Sequence, residues 1–310
     1  MDEGPQATRT DSRLDIRAAR DAIAAIGALD LTTATIEQVK ELLGPVLIGH
    51  VVKAPRFVPG LRLFRIRCCE RPINIRGLLY PPAANTPLGR ANRPGGPVLY
   101  CSTAREPPFY EAQPTAGTTV TMARWVTTAP LLANHVGYTA SALRKMGSGR
   151  TVAGWGDRPV EVPGGEVGQE VAEYLASEFT RRLRRGEHHF YKVTAAVAEA
   201  LFADDLLDGL LYPAVAMLGK ADNFALKTQF ADRHLRFLKA EIIRVDAVRE
   251  FAFDVKVLDT ATELAENGDI RWKGRLDRWV LSKQGDMLTF TAENGEWVAR
   301  DQQGNIVLPE

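Results

Sequence analysis

Apolar residues recur at helical spacing early and midway along the 310-residue chain, and alternate with polar ones at strand spacing elsewhere. In residues 35–45, Ile36, Val39, Leu42 and Leu43 share one face and Thr35 with Gln38 has the form of a capping box. That pattern predicts a short helix stopping at Gly44-Pro45. Over residues 166–185, Val167, Val171, Tyr174, Leu175, Phe179 and Leu183 keep helical spacing, with Glu166, Glu170 and Glu173 near the start and Arg181, Arg182, Arg184 and Arg185 near the end. The helix macrodipole favours this order, so the arginine run reads as a solvated helix end rather than a nucleic-acid patch. A further helix is expected over about 190–202.

Residues 61–67, LRLFRIR, alternate apolar with Arg and predict a strand, and Val98-Leu99-Tyr100-Cys101 predicts a second one. Pro81, Pro82, Pro87, Pro94, Gly95, Gly96 and Pro97 make the intervening stretch a loop, and residues 147–165, rich in Gly, Pro and charge, read as another. Beyond about 240, Phe251, Phe253, Val255 and Val257 alternate. Apolar runs then follow around Trp272, Trp279 and Met287, with turn signals at Asn267-Gly268, Gln284-Gly285-Asp286 and Asn294-Gly295. These features predict a β-meander. No internal repeat or heptad stretch is present. The expected organisation is α+β: a disordered start and helical lead-in over 1–55, a central domain over 56–240, and a β-rich extension over 241–310.

Composition narrows the function. Thirty-nine Lys and Arg against 38 Asp and Glu leave a net charge of +1, which argues against a protein that coats nucleic acid or an anionic membrane. Hydrophobic residues at 45% and charged residues at 25% are ordinary globular values. Three cysteines, two of them adjacent, build no disulfide framework. The polar first 21 residues lack the apolar core of a secretion signal, and the uncharged residues 125–143 are broken by Pro130, Asn134 and His135, so no membrane span is expected. A cytoplasmic location follows from this reading.

The commoner catalytic signatures are missing. His50, His135, His188, His189 and His234 form no metal-ligand spacing, so no metal is expected. There is no Gly-x-Ser-x-Gly elbow and no Gly-x-Gly-x-x-Gly after a strand. Cys101 falls inside a predicted strand and the Cys68-Cys69 pair follows one, where packing roles prevail.

One run stands out: Gly89-Arg90-Ala91-Asn92, then Val98-Leu99-Tyr100-Cys101-Ser102, then Glu111. Its Gly-Arg-x-Asn element, its Val-x-Tyr strand ten residues after the Arg, and its Glu eleven residues after the Tyr resemble the RES domain, whose known members include NAD-destroying toxins. A later element, Tyr212-Pro213-Ala214 followed by Asn223-Phe224-Ala225-Leu226, is similar to the family's Tyr-Pro-Ser and Asn-x-Ala-Leu stretch. The resemblance covers about residues 61–230 and departs at Ala214, where the family carries its serine. It implies a domain with mixed sheets and flanking helices similar to the ADP-ribosyltransferase fold. It further implies NAD as substrate, Arg90, Tyr100 and Glu111 as catalytic residues, and an antitoxin or immunity protein as partner. Self-association is the other partner expectation, and the helical lead-in and the tail are candidate surfaces for it, for target recognition or for covering the site.

The residue types suit that chemistry. Nicotinamide leaves NAD neutral and needs no general acid, so an enzyme must anchor phosphate and stabilise positive charge growing on the ribose. Arg90 offers a permanently charged fork for phosphate. Glu111 offers a carboxylate beside the ribose, and Tyr100 an aromatic face or a hydroxyl. Arg65, Arg67, Asn92, Ser102, Asn223 and the position of Ala214 complete the candidate NAD-binding set, with Ser102 or Thr103 a candidate replacement for the missing serine hydroxyl. Taken singly, Arg90 reads as a solvated loop residue, Tyr100 as a core aromatic and Glu111 as a helix-start carboxylate; their joint spacing favours the site. Residues 53–105 carry ten positive side chains against Glu70 alone, so the neutral total conceals a basic segment suited to a dinucleotide. Three outcomes stay open at this point: cleavage of NAD by phosphate or water, transfer of ADP-ribose to a macromolecule, and a weakened binding protein if Ala214 disables the chemistry.

Overall fold

The computed structural model describes residues 16–48, 50, 54–150, 165–250 and 252–274, together with the backbone of four later strands. Two helices lead, α1 (Ile16–Ala28) and α2 (Ile36–Ile48). After β1 (Arg56–Phe57), β2 (Arg62–Arg67) and β3 (Val98–Ser102) come α3 (Glu106–Ala112), β4 (Thr119–Thr127), β5 (Leu131–His135), α4 (Ala140–Lys145), α5 (Gly165–Phe179) and α6 (Tyr191–Phe202). The chain continues through β6 (Gly209–Pro213), β7 (Asp222–Lys227), α7 (Thr228–His234), β8 (Leu235–Arg249) and β9 (Ala252–Ala261). It ends in β10 (Glu263–Leu264), β11 (Ile270–Arg271), β12 (Asp277–Ser282), β13 (Leu288–Glu293), β14 (Glu296–Arg300) and β15 (Ile306–Val307).

The architecture is α+β: a large mixed sheet with flanking helices. Its strand order is β1-β5-β6-β7-β3-β2-β4-β8-β9-β12-β13-β14-β15, and β10 pairs separately with β11. The β5–β6 pair is parallel and every other neighbouring pair is antiparallel. Residue 240, where the sequence changes character, lies inside β8, which pairs with β4 on one side and β9 on the other. No described helix is long and apolar enough to cross a membrane.

Alternation along the central strands sorts side chains to two faces. On one, Val98, Leu210, Tyr212 and Ala225 pack beneath the helical layer, which contributes Val39, Leu43, Val171, Leu175, Phe179 and Val197. On the other, Leu63, Leu99, Cys101, Leu211, Phe224 and Leu226 pack with Trp125 and Phe230. Beyond β2, a third apolar cluster joins Phe109 and Tyr110 of α3 to Ile243, Val245, Phe253, Val255 and Val257 of β8 and β9.

Three helices differ from the expected pattern. The capping box of α2 forms in both directions, Gln38 N–H donating to Thr35 Oγ1 at 3.1 Å and Thr35 N–H to Gln38 Oε1 at 2.8 Å. The helix nevertheless runs through Gly44-Pro45 to Ile48. Leu43 and Val46 are wholly buried, and packing of this stripe outweighs the donor that Pro45 lacks. The unexpected α1 buries Ala19, Ala22 and Ile26, a narrow stripe among charges. Helix α5 stops at Phe179, six residues before the expected end at 185. Arg182, Arg184 and Arg185 therefore lie in a loop, for a reason found at the site. The predicted start over 1–15, most of the 147–165 loop, and the turns at 284–286 and 294–295 lie outside the described residues.

Candidate active site

Strand register builds the floor of the site. Tyr212 of β6 pairs with Asn223 of β7, Asn223 with Ser102 of β3, and Ser102 with Phe64 of β2. Directly paired residues share a face, so these four side chains form one row across four strands. Above the row lies a cavity of about 300 Å³, also walled by Arg65, Arg90, Tyr100, Glu111 and Tyr191. Six of the nine predicted site residues thus meet in one place: Arg65, Arg90, Tyr100, Ser102, Glu111 and Asn223.

A hydrogen-bonded chain crosses the floor. Ser102 Oγ donates to Asn223 Oδ1, and Asn223 Nδ2 donates to Glu111 Oε1 at 2.9 Å. Ser102 and Asn223 are buried, whereas Glu111 is exposed in the last turn of α3. The carboxylate only accepts, so it takes the amide Nδ2 and leaves Oδ1 to accept from the Ser102 hydroxyl, and the amide holds the carboxylate at the cavity mouth. Glu111 is thus a carboxylate at a helix end rather than a helix start. The chain turns away just past it, at Gln113 with φ 48°.

Tyr100 and Arg90 do different work from that expected. The Tyr100 hydroxyl accepts from Ala91 N–H at 2.7 Å and donates to Asn92 Oδ1 at 2.8 Å. The Gly-Arg-x-Asn turn is folded around that hydroxyl. A Cβ on Gly89 would lie 2.4 Å from Asn92 Oδ1 and 2.7 Å from the Tyr100 oxygen, so only glycine fits. Tyr100 keeps its ring for the cavity, and burial pushes its hydroxyl's pKa above the usual tyrosine range. Asn92 does not line the cavity: its amide donates to Pro87 O and Arg93 O and braces the turn.

The buried Arg90 donates to Phe179 O at 2.7 Å and Arg181 O at 3.2 Å, and its guanidinium lies 4.9 Å from the centre of the Tyr191 ring. It caps the carbonyl end of α5. Its bond to Phe179 O occupies a carbonyl that a further turn would use, while Ala176 O accepts both the Thr180 N–H and the Thr180 hydroxyl, and α5 ends there.

The remaining expectations divide. Arg65 donates to Tyr100 O at 2.8 Å. Its Nε is buried without a partner among the described residues; burial, with Arg67 a like charge nearby, pulls the guanidinium pKa down to about 10. Arg67 lies off the cavity and donates to Gly77 O. Ala214 is fully buried and packs in the third apolar cluster with Phe109 and Met217, not among the cavity walls. The basic segment over 53–105 is also dispersed: Arg93 pairs with Glu37 and Glu199, and Arg71 with Asp259.

Two contributors were not foreseen. Tyr212 is buried on the cavity floor and its hydroxyl makes no hydrogen bond among the described residues. Burial, with Tyr100 and Glu111 nearby, raises its pKa well above the usual value. Its strand pairing with Asn223, carried by the two halves of the second motif, was the available signal. Past Arg90, Glu111 and Tyr191 the cavity opens into a groove of about 770 Å³ whose walls include Arg182, Arg184, Arg185, His188 and Arg249. The last of these belongs to the tail, which no local motif connects to the site. Among the described residues no cluster of His, Cys, Asp or Glu is placed to hold a metal ion. The chain matches no protein-family model, and no curated protein matches it significantly.

Proposed function

We propose that this cleft binds NAD and breaks its nicotinamide–ribose bond, as the RES-like motifs imply. The observation that carries the proposal is the meeting of Arg65, Arg90, Tyr100, Ser102, Glu111 and Asn223, drawn from four separate stretches of chain, around one cavity with a carboxylate at its mouth. In this reading the nicotinamide ring enters the cavity against the Tyr100 and Tyr212 rings. The bond between ribose C1′ and the ring nitrogen breaks with its electron pair going to nitrogen, which turns a pyridinium into neutral nicotinamide. The positive charge left on the ribose is stabilised by Glu111, held in place by Asn223. An oxygen nucleophile, from water, phosphate or an acceptor molecule, then bonds to C1′ and gives up its proton.

Ala214 packs in the apolar cluster and not among the cavity walls, which supports a catalytic reading over that of a weakened binder despite the missing family hydroxyl. The test is nicotinamide release from NAD by the purified protein and by Glu111→Gln, in phosphate and in phosphate-free buffer. Release that depends on Glu111 supports the proposal, and the product, ADP-ribose or its 1-phosphate, names the nucleophile. A blocking partner protein, implied by the same resemblance, would be expected to cover the mouth at Glu111.

A further inference from the structure

Arg90 is badly placed to hold a phosphate. Its guanidinium faces the carbonyl end of α5, where it already serves Phe179 O and Arg181 O. The partial negative charge at the end of a 15-residue helix repels an anion brought to the same spot. Yet capping α5 there directs the following loop along the groove that leaves the cavity. Arg182, Arg184 and Arg185 of that loop line the groove, and none forms an ion pair among the described residues. Their neighbours are committed elsewhere: Arg181 pairs with Glu178, and Arg249 with Asp254. Between the arginines and the cavity, the His188 and Tyr191 rings stack with their planes 12° apart and their centres 5.8 Å apart, a flat surface at the groove wall.

We infer that the loop carrying Arg182, Arg184 and Arg185 is a pyrophosphate-binding arm, that Arg90 positions it, and that a nucleoside diphosphate occupies the groove. This deepens the NAD reading and rests on it. Three unpaired guanidinium groups within four residues match the two adjacent negative charges of a pyrophosphate. The stacked rings offer a face to its base, and the groove's connection past Glu111 sets the ribose of the other half at the cavity mouth. Arg90 acts through the loop and is a positioning residue.

The test is isothermal titration of ADP and of adenosine into the wild-type protein, into Glu111→Gln and into the triple variant Arg182→Gln, Arg184→Gln, Arg185→Gln. The three side chains are exposed, so the triple variant should keep its melting temperature. Wild type and Glu111→Gln should bind ADP at least tenfold more tightly than adenosine, with an advantage that shrinks as salt rises. The triple variant should lose that preference, and its KM for NAD should rise at least tenfold with little change in kcat. Unchanged ADP binding in the triple variant, no preference for ADP in wild type, or tighter binding of a short oligoribonucleotide than of ADP would overturn the inference. Arginine-dependent ADP binding without nicotinamide release would uphold the arm and defeat the cleavage reading. Nicotinamide release with ADP binding indifferent to the arginines would do the reverse.

Discussion

Asn223 makes two hydrogen bonds from opposite ends of its amide, accepting from the Ser102 hydroxyl and donating to the Glu111 carboxylate. A hydrogen bond to a charged group contributes about 1.5–3 kcal/mol, so Asn223→Ala should slow nicotinamide release by roughly 10- to 100-fold, mostly in kcat. Ser102→Ala should cost less, because the amide remains and only its orientation is freed; the kcat of the two variants checks this order. Tyr100→Phe separates packing from chemistry. It removes the acceptor of the Ala91 N–H and the donor to Asn92, at about 1–3 kcal/mol of stability. The melting temperature should fall while the rate per folded molecule stays near wild type; a large loss of kcat at full stability would return the hydroxyl to the reaction. These residues were legible in the sequence as a spacing, because short motifs record which side chains a strand must present. Their tasks were not legible. That the Tyr100 hydroxyl is spent on the turn and Arg90 on a helix end depends on what the rest of the chain brings beside them.

Helix boundaries show the same limit one level up. The capping box of α2 was readable because both partners lie within four residues, and Thr35→Ala should cost about 1 kcal/mol, measured as a shift in the urea midpoint. The far end of α2 was misread because burial of Val46 outweighs the break signalled by Gly44-Pro45. The end of α5 was misread because its cap comes from Arg90, some ninety positions earlier in the chain. Arg90→Met, which keeps much of the side chain's apolar bulk, should uncap α5 and speed amide hydrogen exchange over residues 176–186. Loss of a phosphate contact alone would leave that exchange unchanged.

Across the whole molecule, the tail is structurally continuous with the sheet that carries the site. Ala123 pairs with Ala240 and Thr119 with Arg244, and Ile243, Val245, Val255 and Val257 pack against Val120 and Met122 of the central strands. A chain ending at residue 240 would leave β4 half paired and the third apolar cluster open, and should melt without a cooperative transition by circular dichroism. Alkaline pH probes the other face of the same sheet. Burial raises the Cys101 thiol from about 9 to about 12, so in that window the unfolded chain releases the proton while the folded one keeps it. Stability from this group is full below pH 9 and lost as pH rises towards 12. Cys101→Ala should therefore flatten part of the fall in urea midpoint over that range, with the buried tyrosines supplying the rest. The central claim turns on Glu111, the exposed carboxylate that the buried row aims at the cavity mouth. The most direct test is the initial rate of nicotinamide release from NAD by wild type and by Glu111→Gln at equal concentration and equal melting temperature. The account predicts measurable release by wild type and a rate at least 100-fold lower in the variant. No release by wild type, or equal rates in the two proteins, would contradict it.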